Sequence, residues 1–384
     1  MSILAFLGLL LVAAWLATAA GLNAWALAYR APDGERIAVT TADDWTLHVY
    51  RYPPQGVALD RPPVILGHGF MMNRWCWSLS EAGSLPLALS ALGFDVFVAE
   101  YRGSGASHGP RGWDDRRPGG RDGWGFDDHV QLDLPAIIGA VREVTGAERV
   151  HWVGHSMGGM AGYAYALSTG GHDLASLVTM GSPTRFSHVR ALFGPTGPLA
   201  TRGLTRMHRL PMRFWMRWVT PATVLAPELS MRTSGPAKHL TAAERVTLMT
   251  EAFEDTSPAL AGFFLDHWLE DRSLIPGGQG ALSFADLTVP TLVLGGAQDV
   301  LAPPAAISVP YRETDSGVVA YRLFGDPSLP ADEAGPGLGH ADLISGQAAM
   351  THVLPFLADW LRAEHPLTLP GLCLSSAPLP AKAV

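Results

Sequence analysis

A chain of 384 residues can hold one large or two ordinary domains, so core size places no limit on it. With 48% hydrophobic and 16% charged residues it is globular and rather apolar, which excludes an intrinsically disordered chain. A formal charge of -8 excludes a general electrostatic pull toward nucleic acid, and just two cysteines, Cys76 and Cys373, exclude a disulfide scaffold.

The first element departs from an ordinary water-soluble pattern. From Ile3 to Tyr29 there is no charged residue. As a helix at ~1.5 Å per residue this run is about 40 Å long, enough to cross a ~30 Å hydrocarbon core with tilt. Trp25 and Tyr29 near its far end, followed by Arg30, fit interfacial anchoring. Residues 1–30 therefore read as an uncleaved transmembrane anchor. The alternative is a signal peptide cleaved after Ala17-Thr18-Ala19, giving a secreted product. Against cleavage, no Lys or Arg precedes the apolar stretch, and apolar sequence continues past that site. Arg30 and Arg36 follow the run, so the positive-inside tendency places the remainder in the cytoplasm.

A polar linker, 30–35, leads to two strands at 36–41 and 45–52 around an Asp43-Asp44 turn. A short buried strand at 63–66 ends in Gly67-His68-Gly69-Phe70. Helical spacing over 79–92, broken near Pro86, precedes another buried strand at 94–99. Residues 103–125, thick with Gly, Arg and Asp, predict a long loop; 126–144 predict a helix opening on Asp127-Asp128. A strand at 149–153, a glycine-flanked turn and a helix over 159–167 follow, then buried strands at 174–180, 289–294 and 318–324 and a closing helix at 341–361. Strands that alternate with helices and carry near-continuous apolar runs predict a mostly parallel sheet with helices on both faces.

Between 182 and 285 the alternation stops and the pattern is largely helical, which reads as a helical cap inserted between two strands. The core is then 31–181 with 286–362, and 363–384, rich in Pro, Leu, Ala and Ser, is a loosely packed tail. Within the cap Arg202, Arg206, Arg209, Arg213 and Arg217 recur among Leu204, Met207, Leu210, Phe214, Trp215 and Trp218, with Pro211 dividing any helix there. Such a segment either lies on a membrane or covers an apolar cleft with its arginines in water. The pattern leaves both open.

The chemistry centres on Gly154-His155-Ser156-Met157-Gly158. A strand-turn-helix tight enough to lift the Ser156 Oγ above the sheet edge needs small residues two before and two after it. A serine hydroxyl is a poor nucleophile at neutral pH, so it needs a base, a group to orient that base, and donors for an oxyanion. His340, in Gly339-His340-Ala341-Asp342 ahead of the closing helix, is the candidate base. Asp299, in Gly295-Gly296-Ala297-Gln298-Asp299, lies just past a strand's carboxyl end, where ligand sites of open α/β sheets form. Asp326 and Asp332 also precede His340, but neither directly follows an apolar strand. The oxyanion donors are the backbone N–H groups of Met157, at the helix start, and Phe70, after His68-Gly69. His68 is expected to brace that loop, and His155 to pack beside the serine. His151 and His155 straddle a strand and a turn, which argues against a metal site, and the chemistry requires neither metal nor organic cofactor.

His68-Gly69-Phe70, Tyr101-Arg102-Gly103-Ser104-Gly105-Ala106-Ser107, the serine turn, Gly295 to Asp299 and Gly339-His340 together resemble the α/β-hydrolase superfamily over roughly 36 to 361. The resemblance implies an α/β-hydrolase fold with a nucleophile elbow at Ser156 and a catalytic triad in the chain order Ser156, Asp299, His340. The stretch 124–135, beside the His-Gly-Phe and Gly-His-Ser motifs, is similar to acid-lipase-like and polyhydroxyalkanoate-synthase-like members. Those synthases carry cysteine at the elbow, and epoxide hydrolases and haloalkane dehalogenases carry aspartate; Ser156 points instead to a serine esterase or lipase. The expected activity is hydrolysis of a small-molecule or lipid ester through an acyl-enzyme. Acyl transfer by the same serine, and a non-catalytic membrane-tethered binding module, are the alternatives. No nucleic-acid partner is expected.

Overall fold

The computed structural model describes residues 3–110, 123–186, 210–225, 239–270, 272–275, 282–314, 317–363, 367 and 372–374. It begins with helix α1 (Ile3–Tyr29), long and apolar enough by length and composition to cross a bilayer. Strands β1 (Glu35–Thr40) and β2 (Thr46–Tyr52) form an antiparallel hairpin at one edge of a nine-stranded sheet. β3 (Val64–Gly67), β4 (Val96–Glu100), β5 (Val150–His155), β6 (Leu174–Met180), β7 (Thr291–Gly296) and β8 (Val319–Phe324) follow, with the two-residue β9 (Cys373–Leu374) at the far edge. The sheet order is β1-β2-β4-β3-β5-β6-β7-β8-β9, and every pairing from β4 through β8 is parallel.

Those parallel strands are nearly continuous runs of Val, Leu and Ile because both faces are covered. Ile65, Phe97, Trp152, Leu177 and Val293 enter one core. Their neighbours Leu66, Val98, Val153, Val178 and Leu294 enter the other, which is the period of two that a strand imposes. Helices α3 (Leu134–Thr145) and α4 (Met157–Thr169) cover the first face. Helices α2 (Leu85–Ala91) and α8 (Leu354–Arg362) cover the second. Between β6 and β7 the chain forms α5 (Met212–Leu225), α6 (Ala242–Thr247) and α7 (Pro258–Glu270).

Two helices differ from the sequence expectation. The helix foreseen over 79–92 starts only at Leu85, where Ser84 accepts the N–H of Leu87; Pro86 lies in its first turn and opens the helix instead of breaking it. The closing helix foreseen over 341–361 is interrupted at Ser345 and Gly346. There the chain turns to donate to Gly83 O from both the Ser345 hydroxyl (2.9 Å) and the Gly346 N–H (3.2 Å).

Candidate active site

β3, β5, β6 and β7 are consecutive neighbours in the sheet, so their carboxyl ends bring four loops to one place. Ser156 is the residue between β5 and α4. Its φ of +50° and ψ of -116° lie outside the regions that L-residues favour, so the turn holds it under strain. Three hydrogen bonds fix that conformation: Ser156 N–H donates to Met180 O at 2.9 Å, and the N–H groups of Gly159 and Met160 each donate to Ser156 O at 3.1 Å. A side chain at Gly154 would collide with the backbone of Gly158 and Gly159, and one at Gly158 would lie 2.8 Å from His68 O. The small residues are thus required by backbone approach, within the elbow at Gly154 and against the β3 loop at Gly158. Met157, at the first position of α4, carries an N–H that the helix cannot use internally.

The loop after β3 passes directly over the serine: a Cβ on Gly69 would sit 3.3 Å from that of Ser156. His68 braces it as expected. Its Nδ1–H donates to Gly69 O at 2.9 Å, and its Nε2 accepts the Tyr101 N–H at 3.4 Å. Burial pushes the His68 pKa down to about 3, so the ring is neutral and holds this tautomer. Phe70 packs its ring on Phe264 of α7 at a centroid distance of 4.3 Å, with Trp268 edge-on at 6.5 Å.

His340 and Asp299 meet over β6, with His340 Nδ1 2.7 Å from Asp299 Oδ2. The other carboxylate oxygen of Asp299 accepts the N–H groups of Leu301 (2.9 Å) and Ala302 (2.8 Å), and the residue is buried. Asp326 instead closes its own loop on Ser328, accepting from its N–H and hydroxyl. His155 packs against His340 at 4.5 Å between ring centroids, and its Nε2–H donates to His340 O at 3.2 Å. Burial, followed by the proximity of His340, holds the His155 pKa well below the usual histidine range.

Sequence reasoning missed three contributors. Gly181, at φ +56° just past β6, leaves space where any Cβ would stand 3.0 Å from Asp299 Oδ2 and 3.1 Å from His340 Nδ1. Asp342 accepts the N–H of Gly339 at 3.0 Å and fixes the histidine loop; its place two residues after the histidine was the available signal. Asn73 ties the segment after Phe70 to the helical region. Its side-chain amide donates to Glu251 O (2.7 Å) and Glu254 Oε1 (2.8 Å), its N–H donates to Ala252 O (3.0 Å), and Glu254 N–H donates to Met71 O (2.8 Å). No local pattern announces a contact across 181 residues.

The arginine pattern of 202–218 is only partly described, since Arg202, Arg206 and Arg209 lie outside the described residues. Arg213 and Arg217 keep more than a third of their side-chain surface exposed (39% and 37%) and also reach glutamates of the neighbouring turn. Arg213 pairs with Glu254 (3.4 Å), and Arg217 pairs with Glu251 (3.4 Å) and donates to Thr250 O (2.9 Å).

A parallel sheet covered on both faces, with a strained serine turn beside a carboxylate-held histidine, defines a hydrolase-type architecture. The chain belongs to the alpha/beta hydrolase fold family, whose model matches residues 62–324. It is 33% identical over 166 residues to triacylglycerol lipase 2 of Arabidopsis thaliana, a match covering 41% of this chain and 39% of that protein. It is 32% identical over 140 residues to human gastric triacylglycerol lipase, covering 34% and 33% of the two chains. The chain thus spans well under half the length of these curated relatives. Among solved structures, an esterase from Exiguobacterium antarcticum shares the fold with a TM-score of 0.54 at 16% identity, over 85% of this chain and 99% of that one.

Proposed function

We propose that the chain is a serine hydrolase that cleaves carboxylic esters through a Ser156–His340–Asp299 triad and an acyl-enzyme. The observation that carries this reading is the Asp299-held imidazole of His340 beside the strained Ser156 turn. In the proposed mechanism His340 Nε2 takes the Ser156 hydroxyl proton as Oγ attacks the ester carbonyl. Asp299, already bound by two backbone N–H groups, orients the ring and steadies the imidazolium. The N–H groups of Phe70 and Met157 receive the oxyanion, His340 returns its proton to the leaving alcohol, and a water deprotonated by His340 releases the acid. The aromatic group of Phe70, Phe264 and Trp268 against the oxyanion loop supports an apolar acyl or alcohol part, as do the lipase relatives.

In the same reading 182–285 is the cap over a core of 31–181 and 286–362, 363–384 is a tail, and α1 is a retained anchor. Retention is supported by the contacts on both sides of the candidate cleavage site: Trp15 Nε1–H donates to Trp218 O at 3.0 Å, and Ala26 is fully buried.

The test is a chain-length series of p-nitrophenyl esters together with fluorophosphonate labelling. Ser156→Ala should abolish labelling and lower kcat/KM by roughly 10⁴- to 10⁶-fold. Asp299→Asn should keep the fold and lower kcat by about 10⁴-fold through loss of the required histidine tautomer. Labelling that survives Ser156→Ala in folded protein would sink the proposal.

A further inference from the structure

Helix α1 buries one narrow stripe. Ala19 and Ala26 are buried and Trp15, Leu22 and Asn23 half-buried, a spacing that keeps all five on one face. That face lies against α5 and α6, and the Trp15–Trp218 hydrogen bond joins α1 to α5. Around the rest of α1, Leu9, Leu10, Leu11, Val12, Leu16, Trp25 and Leu27 are exposed. On α5, Phe214 (59% exposed), Trp215 (51%) and Leu225 (73%) face outward, and the Phe214 ring stacks on Trp218.

Trp15 lies fourteen residues before Tyr29, about 21 Å along a helix rising ~1.5 Å per residue. A helix that enters a bilayer near Arg30 therefore carries Trp15, and the Trp218 carbonyl bound to it, to the depth of the acyl chains. If α1 is in lipid, α5 is in lipid beside it. The charges on α5 are arranged for such a position. Arginine at membrane depth is costly unless paired, and Arg213 and Arg217 each face a buried glutamate, Glu254 and Glu251, while Arg30 approaches Glu251 at 3.9 Å.

We infer that α5 enters the bilayer alongside α1, and that the partner of the Phe214–Trp215 face is the acyl-chain region of a phospholipid leaflet. Binding is mainly apolar and needs no anionic headgroup, because Arg213 and Arg217, although partly exposed, are each paired with a buried glutamate. The chain between β6 and β7, whose α7 packs Phe264 against Phe70 of the loop over Ser156, is then itself partly seated in the membrane. On the ester-hydrolase reading, substrate approaches sideways from lipid.

The experiment uses the full chain in phosphatidylcholine vesicles, with Cys373→Ser and the buried Cys76 retained. A nitrobenzoxadiazole label is attached at Trp215→Cys, at Leu11→Cys as the reference within α1, or at Val57→Cys, 89% exposed in the loop after β2. Vesicles doped with acyl-chain nitroxide lipid should quench the label at 215 as strongly as at 11, and several-fold more than at 57. Leu225→Cys supplies a second reporter if Trp215→Cys does not fold. Quenching at 215 and 225 no greater than at 57 overturns the inference, and label-to-label energy transfer in that case assigns the face to a second copy of the chain. The measurement needs no turnover. Fluorophosphonate labelling of the same samples scores the hydrolase reading separately.

Discussion

At the scale of single residues, three histidines have their protonation set by burial. His68, His151 and His155 are enclosed, and each has its pKa driven down, to about 3 for His68 and about 4 for His151. For His151 burial is the main cause, and Arg149 and Arg61 add to it. The unfolded chain takes up these protons near pH 6.5, whereas the native state resists until much lower pH. Between those values the unfolded state binds more protons, so stability falls as pH falls, by up to about 1.4 kcal/mol per pH unit for each histidine. The urea midpoint should therefore drop between pH 7.5 and pH 5. His151→Asn, which removes a titrating ring bound to Ser176 Oγ and remote from the serine chemistry, should make that drop shallower. An unchanged slope would show that His151 contributes nothing to it.

At the scale of elements, what was legible in the sequence was what a strand end announces. Ser156, Asp299 and Phe70 each follow an apolar run, and the strand-helix alternation predicted the parallel sheet that β4 through β8 form. The Pro86 helix and the break at Ser345 were not legible, because a proline suits either a break or a first turn, and the Gly83 carbonyl that draws Gly346 is 263 residues away. The pairing of Arg213 and Arg217 with Glu254 and Glu251 was hidden for a related reason: helical spacing gives a face, and only packing says what meets it. Gly181 reads as an ordinary loop glycine until β6 is set between Ser156 and Asp299. Gly181→Ala forces a side chain into a left-handed position and against the Asp299–His340 pair. It should lower kcat by roughly 10- to 100-fold through misplacement of the imidazole. Circular dichroism should remain that of the wild type, and an unchanged kcat would remove Gly181 from any positioning role.

At the scale of the whole molecule, the helical region and the core are joined at the segment that follows Phe70. Asn73 and Glu254 are both buried, and the carboxylate gathers the Asn73 amide, the Gly105 N–H and Arg213. Burial raises the Glu254 pKa, and its partners oppose that rise, Arg213 most strongly. Asn73→Ala leaves the carboxylate short of a donor and should cost about 1–3 kcal/mol in urea unfolding. If the contact itself is responsible, Asn73→Ala combined with Glu254→Gln should cost less than the sum of the two single changes. Simple additivity would show that the two side chains act independently.

The short connection between α1 and β1 has a consequence for how such an enzyme would be assayed. Residues 30–34 are clamped along their length: Arg30 lies over the Trp75 ring at 4.7 Å, and Asp33 takes a two-pronged contact from Arg74, itself bound to Glu100. On the anchored-hydrolase reading, a tether without slack keeps Ser156 at a fixed height above the lipid surface and stops it from swinging out to collect molecules from water. Velocity on vesicle substrates should then follow the mole fraction of ester in the surface and be indifferent to the total amount of lipid suspended. Diluting the substrate with inert lipid would slow the reaction, and diluting the whole suspension with buffer would not.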